Sequence, residues 1–142
     1  MNYGRVLLAG LTGTVAYFVA GGLLAGLLFA NEYKPYQAVY RSREAVMNYF
    51  PLGIAGTFVA IVVLAAIYAK GYEGGRGALE GLRFGALIGL FIVFVVVGDE
   101  YVTLNIGGRL AAFMAVGRFI GWLITGMVIG LVYKPASPSA AK

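Results

Sequence analysis

Four long apolar blocks separated by short polar stretches pattern this chain: residues 6–30, 50–69, 78–98 and 110–133. An α-helix needs about 20 apolar residues to cross a hydrocarbon core of about 30 Å, and each block is long enough. A soluble core of this size would show shorter, amphipathic segments instead. The pattern predicts an all-α, polytopic membrane protein. It would be one four-helix transmembrane domain over residues 1–134, followed by a polar tail over 135–142.

The first block is expected to be retained as a span. Arg5 alone makes a thin positive lead, and the block exceeds the apolar region of a cleaved signal peptide. The second block opens with Pro51, a residue suited to a first helical turn, and ends at Lys70-Gly71. The third carries Glu80 and Arg83 near its start. The fourth ends at Tyr133-Lys134-Pro135, where proline stops the helix, and both Arg109 and Arg118 stand near its beginning. Between the blocks lie a long connection over 31–49, with a short helix expected at 42–48, a glycine turn over 71–77, and a closing hairpin over 99–108.

Charge orients these spans. One side collects Arg5, Lys70, Arg76, Arg83, Lys134 and Lys142; the other holds Lys34, Arg41, Arg43 and Arg109. Only Lys and Arg count toward the positive-inside rule, so both termini are expected in the cytoplasm. Tyrosines fall at the span edges, Tyr3, Tyr68, Tyr72 and Tyr133 at one face and Tyr33, Tyr36, Tyr49 and Tyr101 at the other. That is the position of an aromatic belt.

The composition, 61% hydrophobic and 12% charged, departs from that of an ordinary soluble domain. A net charge of +5 without any basic cluster points to membrane orientation and not to nucleic acid. Cysteine and histidine are both missing. Their absence removes thiolate chemistry, histidine acid–base catalysis and the usual zinc, haem and chlorophyll ligands. No nucleophile–base pair is evident, so no enzyme, metal or cofactor is expected. A bound lipid or pigment would have to be held by packing.

The clearest motif is the four-residue repeat Gly77, Gly81, Gly85 and Gly89, which lays a groove along one side of the third span. Helices in lipid associate largely through close backbone packing and interhelical hydrogen bonds, and such a groove permits close approach. Gly10, Gly13, Thr14 and Gly21 make a similar face in the first span. Gly117 and Gly121 do so in the fourth, with Gly126 and Gly130 alongside. These grooves are expected to pack inside the bundle or to dock another subunit, a lipid tail or a pigment.

Five charged residues are further candidates. Glu80 and Arg83, three apart, are neighbours on one helix face and read as a surface pair near the inner interface. Arg118 is sixteen residues from Lys134, or about 24 Å along a helix, so it falls about 6 Å below the outer edge. Intramembrane charge is costly and often functional. Here Arg118 is expected to pair with Asp99 or Glu100 across the last hairpin. The adjacent carboxylates of Asp99 and Glu100 point different ways and read as a solvated span end.

Three stretches carry a resemblance: Lys70-Gly71-Tyr72-Glu73-Gly74, Glu80-Gly81-Leu82-Arg83-Phe84-Gly85 and Leu131-Val132-Tyr133-Lys134-Pro135. They are similar to a group of small bacterial four-span membrane proteins with no assigned function. The resemblance implies the four-span fold and no activity. It does not extend to the outer hairpin, so it lends no role to Asp99 or Arg118. The functional expectation is a non-catalytic accessory subunit of a larger, bioenergetic or photosynthetic membrane complex. The alternative is a small homo-oligomeric carrier or channel, whose path would be lined by Thr12, Thr14, Tyr17, Thr57 and Arg118. Membrane lipids and other subunits, or copies of the chain itself, are the expected partners.

Overall fold

The structure, a computed structural model, describes residues 1–133. Lys134 and the tail expected over 135–142 lie outside the described residues. Six helices follow one another: α1 (Tyr3–Leu23), α2 (Ala30–Tyr33), α3 (Arg43–Lys70), α4 (Gly77–Ile92), α5 (Gly98–Thr103) and α6 (Gly108–Val132). A π-helical turn, Leu24–Leu28, extends α1, and another, Val93–Val97, joins α4 to α5. Four stretches are long and apolar enough to cross a membrane: Tyr3–Leu27, Arg43–Lys70, Gly77–Thr103 and Gly108–Val132. The chain is a multi-pass helical membrane protein built as a four-helix bundle, whose end bearing Tyr3 and Val132 is called inner and whose opposite end is called outer.

Three boundaries differ from the sequence expectation. The helix expected at 42–48 is not separate but forms the first turns of α3, which Ser42 caps by accepting the Ala45 N–H at 3.3 Å. Pro51 therefore lies inside α3 and not in its first turn, leaving the Met47 carbonyl without its helical donor. The third span does not stop at Gly98; the π turn carries it on to Thr103. Asp99 and Glu100 are thus helical, and the outer turn shortens to residues 104–107. The fourth span begins at Gly108, so Arg109 and Arg118 both belong to it.

The tightest contact in the bundle is α4 on α6. Gly81, Gly85 and Gly89 are buried along α4, and a methyl group built on Gly85 would strike the Trp122 carbonyl and lie 3.1 Å from the Gly126 Cα. The approach is reciprocal, since a methyl on Gly126 would meet the Gly81 carbonyl and the Gly85 Cα, both at 2.5 Å. Backbone touches backbone here, so dispersion and Cα–H···O contacts replace side-chain packing. α1 packs on both α6 and α3. α3, in contrast, buries only Ile61, Ala65 and Tyr68, all in its inner half.

Each end of the bundle has its own apolar cluster. Val6, Ala9, Ile61, Ala65, Tyr68, Trp122, Ile129 and Tyr133 pack at the inner end and centre, while Val97, Ile106, Leu110 and Met114 pack at the outer end. Two expected belt tyrosines are corrected by this packing. Tyr68 and Tyr133 are buried, and their rings meet edge-to-face at 6.0 Å, joining helices where interfacial anchors were expected. Tyr3 and Tyr49 do stand exposed.

Candidate functional site

The polar groups of the outer half converge on the junction of α1, α5 and α6. Arg118 donates from Nη2 to Glu100 Oε1 at 2.7 Å, and both side chains are about two-thirds or more buried, at 30% and 26% exposure. Arg118 stands ten residues into α6, about 15 Å from its outer end at Gly108. The pairing is with Glu100; Asp99 remains exposed on the adjacent face. An arginine at this depth needs a partner, because lipid offers none. Glu100 answers it from a neighbouring helix, while its Oε2 is buried with no hydrogen-bond partner among the described residues.

The long first connection folds over this pair. Arg109 grips Glu32 through two bonds of 2.8 Å, from Nε and Nη2. The Gly107 N–H donates to the Tyr36 hydroxyl at 3.1 Å, and the Tyr40 hydroxyl approaches Met114 Sδ at 3.8 Å. These contacts staple the first outer loop to the last hairpin. Burial pushes the Tyr33 phenol above its ordinary value of 10.0; Arg118 opposes that rise and Glu100 adds to it. Burial raises Tyr40 as well, helped by Tyr33 and Glu100. Nothing in the sequence separates Glu32 and Tyr40 from ordinary loop polarity, because their partners Arg109 and Met114 lie 77 and 74 positions away.

Between α1 and α6, beside Arg118, is a half-open cleft of about 160 Å³. Its walls include Tyr17, Phe29, Phe113 and the bare backbone of Gly21 and Gly121. Gly121 was expected to pack helix on helix, yet among the described residues nothing lies within 4 Å of where its Cβ would stand. Gly117 meets the Phe29 ring and not another backbone. The glycines of α6 that do receive α4 are Gly126 and Gly130, with Gly77, Gly81 and Gly85 opposite them; Gly89 meets the Phe119 ring. The π turn Leu24–Leu28 bounds the cleft through Leu24, and one-turn π segments are frequent at functional sites.

At the inner end the expected pair of Glu80 with Arg83 is not formed among the described residues. Glu80 instead accepts the backbone N–H groups of Glu73 at 2.7 Å and Gly75 at 3.1 Å. It ties down the 71–76 turn, where Gly74 takes a φ of +84°. The carboxylate thereby satisfies two backbone donors of the turn with charge-assisted bonds.

Of the residues that would line a transport path, Thr12, Thr14, Tyr17 and Arg118 do not converge. Thr12 and Thr14 spend their hydroxyls on carbonyls of their own helix, Thr12 on Leu8 at 2.9 Å and Thr14 on Gly10 at 2.8 Å. Thr14 edges a groove between α1 and α3, whereas Tyr17 and Arg118 line the cleft between α1 and α6. Among the described residues no group of three or more acidic side chains is placed to hold a metal ion. Comparison with known proteins gives no match: neither a protein family, nor a curated sequence, nor a solved structure aligns with this chain.

Proposed function

We propose that this protein is a non-catalytic accessory subunit of a larger membrane assembly, seated in a bacterial cytoplasmic membrane with both termini inside. The observation that carries the reading is the state of α3. Its 28 residues bury only three side chains, none of them in the outer half, where Leu52 is 71% exposed and the one ring-on-ring contact among the described residues is Phe50 on the Phe18 ring of α1 at 5.9 Å. Gly53 and Gly56 on that stretch have nothing among the described residues within 4 Å of a built Cβ. A lipid-facing helix gains nothing from bare backbone, whereas a partner helix gains close approach. α1, α4 and α6 hold together without that half of α3. In the same direction, the threonine hydroxyls of α1 are satisfied within their helix, which suits a packing element better than a polar path.

Extraction in a mild detergent, followed by native size analysis and identification of co-migrating proteins, tests this. A stable complex with a larger foreign membrane protein is the expected result. A pure homo-oligomer would overturn it in favour of a carrier or channel built from copies of this chain.

A further inference from the structure

The cleft between α1 and α6 carries an inference independent of the accessory-subunit reading. We infer that it binds the head of a lipid-soluble quinone-type molecule: a planar, uncharged ring bearing carbonyl oxygens on an apolar tail.

Four features define the ligand. The first is size. About 160 Å³ is close to the roughly 150 Å³ of an apolar cavity that takes up one benzene ring. The second is the wall, where Tyr17, Phe29 and Phe113 present aromatic faces and edges of the kind that pack against a flat ring. Gly21 and Gly121 hold the space open, since neither has an atom of the described residues within 4 Å of a built Cβ. The third is hydrogen bonding. A guanidinium has five N–H donors, and Arg118 engages Glu100 through Nη2 alone among the described residues. Arg118 lines the cleft, and a guanidinium with donors left over there calls for acceptor oxygens. The fourth is charge. Glu100 already neutralises Arg118, so an anionic headgroup would meet a carboxylate 2.7 Å behind the arginine, while a carbonyl would not. Depth agrees with these features. The cleft runs from Tyr17, within the first span, to Tyr33 beyond its end, joining hydrocarbon to interface as an amphiphile requires.

The chain supplies its own reporter. Trp122 is its single tryptophan, and its ring lies 5.1 Å from that of Tyr17 on the cleft wall. The full chain, purified in mild detergent, is titrated with a decyl-tailed benzoquinone while Trp122 fluorescence is read. Saturable quenching at one ligand per chain is expected above the linear collisional background. Gly121→Leu and Gly21→Leu fill the cleft from opposite walls and enter open space, so either folded variant should lose the saturable part. Arg118→Gln should weaken binding at least tenfold. Didecanoyl phosphatidylglycerol and decanol should not compete. Purely linear quenching of the wild type, or saturable quenching unchanged in the filled variants, overturns the inference. Displacement by the phospholipid at equal concentration also overturns it and marks a lipid headgroup site instead.

Discussion

Adding a single methyl group separates two kinds of glycine in this chain. Gly85 touches the α6 backbone, so Gly85→Ala should wedge α4 from α6 and cost about 1–3 kcal/mol. Gly22 has nothing within 4 Å of a built Cβ, so Gly22→Ala should be neutral or stabilising by up to about 1 kcal/mol. Thermal unfolding of the purified protein in detergent compares the two; equal effects would mean that the α4–α6 contact is not close. The repeat in α4 was legible from spacing alone, but its counterpart in α6 was not. Gly117 and Gly126 are nine residues apart, which at about 100° per residue places them on opposite sides of the helix. Spacing reveals both stripes and cannot say which one meets α4. The phenols of the outer loop give a second prediction. Tyr33 and Tyr40 have pKa values raised above 10.0 by burial, so the folded protein holds their protons more tightly than the unfolded chain does. Their contribution to stability is full below pH 10 and is lost as pH rises through the higher folded values. Melting temperature should therefore fall above about pH 10, and less steeply in Tyr33→Phe; an unchanged slope in that variant would contradict the assignment.

The elements show where span ends can be read from charge and where they cannot. Asp99 and Glu100 look like the exit of a span, because two carboxylates in lipid are costly. The structure keeps them helical, and Glu100 is stabilised by Arg118 from α6, a partner that only the tertiary arrangement supplies. Pro51 likewise looks like a helix start, yet helices in membranes tolerate internal proline. The π turn Val93–Val97 places one extra residue before Glu100, which turns the side chains beyond it by about 100°. Deleting Val95 should restore a regular helix and swing Glu100 away from Arg118. A double-mutant cycle with Arg118→Leu and Glu100→Leu should then show coupling of about 1 kcal/mol or more in the full-length chain and almost none in the deletion. Equal coupling in both backgrounds would show that the π turn does not set the pairing.

For the molecule as a whole, the apolar blocks made the number of spans legible. The outer cleft was not legible, since it is assembled from residues 17 to 121 whose proximity no local pattern encodes. Orientation is open to a labelling test in this cysteine-free chain. With both termini inside, an impermeant thiol reagent should mark Ser42→Cys but not Glu73→Cys in intact cells, and the reverse result would invert the topology. The outer half of α3, which buries no side chain among the described residues, bears most directly on what the protein is for. A photo-crosslinking residue at Leu52 of α3, compared with one at Leu87 of α4, reads both surfaces in native membranes; the two side chains are similarly exposed, at 71% and 67%. Leu52 should yield one discrete adduct with a larger membrane protein, the same one that co-purifies in mild detergent, while Leu87 yields lipid adducts. Lipid adducts alone at both positions, or an adduct only with a second copy of the chain, would contradict the role of α3 as the docking helix of an accessory subunit.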